Sequence, residues 1–144
     1  MPTTKGRCLC KAMEYEFEGD PLWVAHCHCE SCRRATSSAF ATYIGVKLDQ
    51  FSYLKGNPAI YESSPGVQRF FCGTCGSPLA IAGSRWPGEV HLHAGSLVDP
   101  GGVEPSRHVH VGEQLPWAEV HDQLPRFEKT SRDSKTPVRK GPRR

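Results

Sequence analysis

The chain has 144 residues, 38% of them hydrophobic and 23% charged, with a formal net charge of +3. This fits one ordinary globular domain, and no stretch approaches the ~20 apolar residues of a membrane span. The N-terminal Met1-Pro2-Thr3-Thr4-Lys5 lacks the apolar core of a signal peptide, so a cytoplasmic, reducing location is expected.

Gly 14 and Pro 12 make up about 18% of the chain, against an average of roughly 12%, which favours short strands joined by many turns. Residues 7–18 alternate as a strand, with Cys8, Cys10 and Ala12 on one face and Tyr15 and Phe17 on a face of their own. Leu22–His26 reads as a second strand running into Cys27-His28-Cys29-Glu30-Ser31-Cys32, and 33–38 as a turn or a single helical turn. The β-branched and aromatic run Phe40–Val46 is a strand. Phe51–Leu54 and Ala59–Glu62, joined by Gly56-Asn57-Pro58, predict a hairpin or meander. Val67–Phe71 leads into Cys72-Gly73-Thr74-Cys75-Gly76, followed by strands at Leu79–Ala82 and Val90–Gly95 and a Gly-, Pro- and His-rich stretch to Pro125. The expectation is a mostly β domain over 1–128 with about eight short strands. Residues 129–144 carry seven Lys/Arg against Asp133 alone, a +6 tail expected to be disordered. The body, with eleven Lys/Arg and fourteen Asp/Glu, stands at −3.

Seven cysteines cannot all pair as disulfides, and short C-x-C and C-x-x-C spacings in a reducing compartment point to metal. Tetrahedral zinc at Zn–S distances near 2.3 Å needs sulfurs roughly 3.8 Å apart. A C-x-C places two sulfurs together, and a C-x-x-C closed by Gly does so through a turn whose amides can point at the thiolates. Cys8, Cys10, Cys72 and Cys75 therefore form a closed four-thiolate site. Cys27, Cys29 and Cys32 remain: three ligands with an open fourth position, as a reactive zinc requires. The alternatives are a closed site, with His26, His28, His91, His93 or His108 as fourth ligand, and a metal-free redox thiol cluster.

Taken in order, Gly6-Arg7-Cys8-Leu9-Cys10, Cys27-His28-Cys29-Glu30-Ser31-Cys32-Arg33-Arg34, Arg69–Gly76 and Ala94–Pro100 resemble the glutathione-dependent formaldehyde-activating enzyme family, which includes centromere protein V. Pro105–Val109 and Leu115-Pro116-Trp117 fit as well, so the resemblance covers about residues 5–128. It implies a β-tent, two small antiparallel sheets leaning together over zinc. It also implies two zinc ions per chain: a structural one on Cys8, Cys10, Cys72 and Cys75, and a catalytic one on Cys27, Cys29 and Cys32. Two positions depart from the family pattern: Lys11 and Ser37 stand at or near places where glycine is common.

The implied activity is that of a zinc-dependent carbon–sulfur lyase acting on thiol–carbonyl adducts, as in S-hydroxymethylglutathione synthesis from glutathione and formaldehyde. Arg33 and Arg34 are the candidate cationic contacts for an acidic thiol peptide such as glutathione. His28, between two ligands, is expected to point away from the metal, Asp99 to be a turn residue, and Trp23, Trp86 and Trp117 to belong to the core or a pocket wall. The competing reading is a non-catalytic zinc module whose basic tail binds nucleic acid or an acidic partner.

Overall fold

The computed structural model of the chain describes residues 1–131 and 139–140. The described elements are β1 (Thr3–Arg7), β2 (Glu14–Glu18), β3 (Trp23–Cys27), α1 (Glu30–Thr36), β4 (Ala41–Lys47), β5 (Phe51–Lys55), β6 (Ala59–Ser64), β7 (Val67–Phe71), β8 (Pro78–Ala82), β9 (Glu89–His93), β10 (Arg107–Val109), β11 (Pro125–Arg126) and β12 (Arg139–Lys140), with four short 3-10 turns. The fold is mostly β with two sheets, as expected. Most of the tail expected to be disordered falls outside the described residues. Among the described residues no helix is long and apolar enough to cross a membrane.

The chain divides into two compact units: Met1–Trp23 with Ile44–Glu104, and Val24–Tyr43 with the chain from Pro105 onward. In the first unit β1, β2 and β5 form an antiparallel sheet in that order. Along β2, Tyr15 and Phe17 are buried while Glu14, Glu16 and Glu18 face away, the period-2 pattern of a half-buried strand. Gly6 sits opposite Tyr15 because any Cβ there would meet the tyrosine ring, and the Tyr15 hydroxyl reaches Ser96 Oγ at 2.6 Å. Strands β6 to β9 form an antiparallel meander. Ile44, Val46, Leu79 and Leu92 are buried in this unit, each contributing about 2 kcal/mol.

Two local expectations are corrected here. Residues 7–18 are not one strand: the chain breaks after Arg7, turns through Cys8–Met13 with Cys8 N donating to Met13 O at 3.1 Å, and resumes as β2. The predicted hairpin of 51–54 with 59–62 does not form either, because β5 pairs with β2 and β6 with β7. Gly56, at φ +79° with the Ala12 carbonyl against it, turns the chain from one sheet to the other.

In the second unit β10 runs parallel to β3, pairing Arg107 with Ala25 and Val109 with Cys27, and is also parallel to β11. β11 in turn pairs antiparallel with β12. Where the sequence predicts a turn or a single helical turn over 33–38, the helix α1 is longer and starts earlier, at Glu30. Cys29 is its N-cap: the sulfur accepts the Cys32 amide at 3.3 Å, satisfying one of the free N–H groups of the first turn. Glu30 in the first turn and Arg33 and Arg34 in the last complement the helix dipole. Ser37 ends the helix in the left-handed region, at φ 55°.

Candidate metal centres

None of the seven cysteines forms a disulfide, and they fall into the two groups expected from spacing. In the first unit Cys8, Cys10, Cys72 and Cys75 bring four sulfurs within 4.8 Å of one another. Cys8 and Cys10 are 3.7 Å apart and Cys10 and Cys72 3.8 Å, far beyond disulfide length and close to the edge of a zinc–thiolate tetrahedron. Two tight turns carry them. One is the Cys8–Met13 turn between β1 and β2; the other is Cys72–Ser77 between β7 and β8, closed by Gly76 N donating to Cys72 O at 2.8 Å. Backbone amides point at the sulfurs: Met13 N at Cys8 Sγ (3.2 Å), Thr74 N and Cys75 N at Cys72 Sγ (3.4 and 3.5 Å). The Ser77 hydroxyl and amide beside Cys75 draw its thiol down to about 5. Such donors stabilise negative sulfur, so the turns are built for thiolates.

In the second unit Cys27 closes β3, Cys29 caps α1 and Cys32 lies on its first turn. Cys27 and Cys32 are buried, with sulfurs 3.9 Å apart, and Cys29 is half-buried. The buried Tyr43 of β4 donates its hydroxyl to Cys32 Sγ at 3.1 Å. Crowding by the Cys29 and Cys32 sulfurs, reinforced by burial, pushes the Cys27 thiol well above its ordinary range. Cys29 is pushed up to about 11, since Cys32 and burial outweigh the downward pull of Cys27. Three sulfurs this close together repel one another as thiolates unless a cation lies among them. Both donor sets fit a thiophilic divalent ion: four sulfurs match a closed tetrahedral site, and three match a site with a free position. Among the described residues no histidine or carboxylate joins the donor set of Cys27, Cys29 and Cys32.

Four of the five histidines named as possible fourth ligands, His26, His28, His91 and His108, have partners elsewhere. His91 bonds Glu89 at 3.0 Å and packs edge-on against Trp23. His26 bonds Thr42 Oγ1 at 2.7 Å and stacks on His108. His28, fully buried, contacts His108 Nδ1 through its Nε2 at 2.9 Å, and His108 Nε2 lies 2.9 Å from Asp122 Oδ2. Burial lowers His28 to about 3, reinforced by His108, and lowers His26 to about 4 and His108 as well. Burial works to raise Asp122, but the His108 N–H and the Leu124 amide outweigh it and hold the carboxyl below its usual range. The buried Arg126 also faces Asp122, at 3.5 Å. An ionised Asp122 fixes one tautomer along the chain. It takes the His108 Nε2 proton, His108 Nδ1 accepts from His28 Nε2, and His28 Nδ1 keeps a buried lone pair with no hydrogen-bond partner. The chain Asp122–His108–His28 had no signal in the sequence, since its members are 14 and 80 residues apart.

Arg33 and Arg34 line an open groove of about 370 Å³ together with Ser37, Ser38, Leu115 and Trp117. They are not equivalent. Arg34 is 72% exposed and paired with Glu30 at 2.8 Å, whereas Arg33 is half-buried and its Nε has no hydrogen-bond partner. Trp117 is 75% exposed and forms groove wall, one of the two expected places for it. Asp99 is a turn residue as expected, accepting from Gly101 N at 3.2 Å. Lys11 and Ser37 both have positive φ, at 70° and 55°. These are the two positions flagged as departing from glycine.

A family profile described as glutathione-dependent formaldehyde-activating enzyme matches residues 3–113. An uncharacterised lyase of Schizosaccharomyces pombe is 35% identical over 82 residues, spanning 57% of this chain and 59% of that protein. A Halomonas elongata protein provisionally named a glutathione-dependent formaldehyde-activating enzyme is 29% identical over 130 residues, 83% of this chain and 82% of its own length. Among solved structures, a crystal structure of a Rhodobacter sphaeroides protein superposes with a TM-score of 0.57 at 28% identity, covering 70% of this chain and 91% of that one.

Proposed function

The chain belongs to the glutathione-dependent formaldehyde-activating enzyme family, and on that premise we propose that it is a zinc-dependent carbon–sulfur lyase that makes and breaks thiol–carbonyl adducts. Membership and the relatives' names support a glutathione-related lyase; the zinc and the reaction are the finer reading. The observation that carries it is the three-sulfur donor set of Cys27, Cys29 and Cys32, which has no fourth ligand among the described residues and whose helix also lines an open groove. Cys8, Cys10, Cys72 and Cys75 take the structural zinc, worth on the order of 10 kcal/mol to folding. A reducing, cytoplasmic setting follows from keeping seven thiols available as ligands.

The reaction is an addition without redox change. The thiol sulfur bonds to the carbonyl carbon, the carbonyl π pair moves to oxygen, and the thiol proton ends on that oxygen; the reverse breaks the carbon–sulfur bond. Zinc, when bound, supplies a Lewis-acidic position that ionises a thiol which is otherwise only about 3% thiolate at pH 7. Full ionisation is worth roughly 30-fold, about 2 kcal/mol, so positioning by the chain supplies the larger share. Arg33 lines the groove, is not tied up in an ion pair as Arg34 is, and binds a carboxylate of an acidic thiol peptide such as glutathione through its guanidinium. Trp117 and Leu115 offer an apolar wall for its backbone. Cys29, by capping α1, ties the ligand set to the helix that presents Arg33.

The test is zinc content together with glutathione–formaldehyde exchange followed by NMR, in the full chain and in Cys29→Ser. Two zincs falling to one, with accelerated exchange lost in the variant, is the expected result. Two zincs in the full chain with no acceleration for any thiol would overturn the lyase reading.

A further inference from the structure

The geometry points to Tyr43 as a positioning residue that tunes the charge of the Cys27, Cys29 and Cys32 centre through the Cys32 sulfur; this rests on those cysteines being zinc ligands. Zinc with three thiolates is formally −1, which opposes its acting as a Lewis acid. Charge must therefore be drawn off the sulfurs if the free position is to polarise or ionise anything. Hydrogen bonds to ligands are the means proteins use for this, because each donor shared with a sulfur lowers what that sulfur gives the metal.

The three sulfurs differ in this respect. Cys29 Sγ accepts a backbone amide, Cys32 N, at 3.3 Å, a bond that any N-cap would form. Cys32 Sγ accepts the phenol of Tyr43 at 3.1 Å, a side-chain donor brought from β4, eleven residues further along the chain. Both Tyr43 and Cys32 are buried, at 4% and 5% exposure, so water does not compete for the bond. A tyrosine with its hydroxyl in a core needs a partner, and its ring alone could have been a phenylalanine. Tyr43 sits on a strand, on the same face as the buried Ala41, and is itself buried, so its ring is held before any substrate arrives. The bond also fixes the χ1 direction of Cys32 and so the place its sulfur offers to the ion.

Tyr43→Phe in the full chain tests this, because it keeps the ring and removes one oxygen. Loaded with cobalt(II), the variant shows its sulfur-to-cobalt charge-transfer band at longer wavelength than the full chain, since a sulfur relieved of a hydrogen bond gives up an electron more readily. Competition with a chelator shows the zinc of this centre held about 10-fold or more weakly, because the loss of the bond that positions the Cys32 sulfur and favours its thiolate over the thiol outweighs the gain in donation, while the zinc of Cys8, Cys10, Cys72 and Cys75 is unchanged. In the adduct assay kcat falls and KM for the thiol stays within twofold. Urea unfolding of the variant reports separately on packing, which a purely structural role would move without moving the band. An unshifted band with unchanged zinc competition would overturn the inference while leaving the lyase reading intact. A full chain that binds no cobalt at Cys27, Cys29 and Cys32 would overturn both.

Discussion

Ser37→Gly should stabilise the protein, although glycine is usually the weaker choice. Ser37 lies just past α1 at φ 55°, ψ 26°, where an L side chain costs roughly 1–2 kcal/mol through its Cβ. Its side chain is exposed and packs against no core, so little is lost with it. Against this, glycine adds unfolded-chain entropy worth about 0.4–1 kcal/mol. The net gain is therefore about 0.5–1 kcal/mol. With an unfolding entropy of about 2.1 cal/mol/K per residue, a chain of this size gains roughly 2–3 °C in Tm. The assay is urea and thermal unfolding at a fixed excess of zinc, because bound metal adds its own linkage to the apparent stability. Ser37→Ala is the control: it keeps the Cβ and removes the hydroxyl, so it should gain nothing. Equal gains from Ala and Gly would refute the backbone account and place the effect in the serine side chain.

Arg33→Ala should raise KM for an acidic thiol peptide by about 10-fold, the worth of one charge-assisted hydrogen bond, and leave KM for a neutral thiol alone. Arg34→Ala, whose arginine is exposed and already paired with Glu30, should change neither by more than twofold; the reverse order of effects would exclude the assignment. Stability should also fall with acid. His28 is held at about 3 when folded but near its ordinary value when unfolded, so below about pH 6.5 the unfolded chain takes up a proton that the folded one refuses. Each pH unit then removes about 1.4 kcal/mol through this one residue, until its folded value is approached. In urea unfolding from pH 7.5 to 5.5 at fixed excess zinc, His28→Gln should show a shallower slope than the full chain. Proton competition for the thiolates acts on both proteins, so identical slopes would show that His28 does not contribute.

Strand β2 is legible in the sequence because one face of it is buried and its residues alternate; Ala41–Lys47 and Pro78–Ala82 overlap runs legible instead by their continuous apolar, β-branched or aromatic content, which matches strands with several consecutive buried residues. The grouping of the seven cysteines was legible for a different reason, since spacing alone decides which sulfurs can share one ion. The segments that differ from the expectation include those beside the candidate metal ligands. Cys8 and Cys10 look like same-face strand residues, but the turn needed to aim their sulfurs breaks the strand at Cys8. The full length of the helix after Cys29 is hidden in the sequence because helix propensity counts Ser, Cys and Thr as weak formers and takes no account of a sulfur cap. The hairpin or meander predicted after Phe51 does not form: a Gly-Asn-Pro turn does not say which sheet the next strand joins.

The same physics explains both the misread segments and the glycine departures. A thiolate offered to an ion is also a hydrogen-bond acceptor, so amides gather on it: Met13 N on Cys8, Cys32 N on Cys29, Thr74 N and Cys75 N on Cys72. To turn several consecutive amides toward one atom the backbone must bend within a few residues, and the residue leaving such a bend is often driven to positive φ. Lys11 leaves the Cys8–Cys10 turn at 70°, Gly76 leaves the Cys72–Cys75 turn at 78°, and Ser37 closes the helix that Cys29 caps at 55°. Glycine is the unstrained choice at all three, yet the chain keeps it only at Gly76. The strain at Lys11 and Ser37 is therefore tolerated beside both candidate ligand sets. Lys11→Gly, read by the same unfolding assay, should reproduce the gain at Ser37. A gain at one position alone would mean that the metal turns, and not the residues themselves, set the cost.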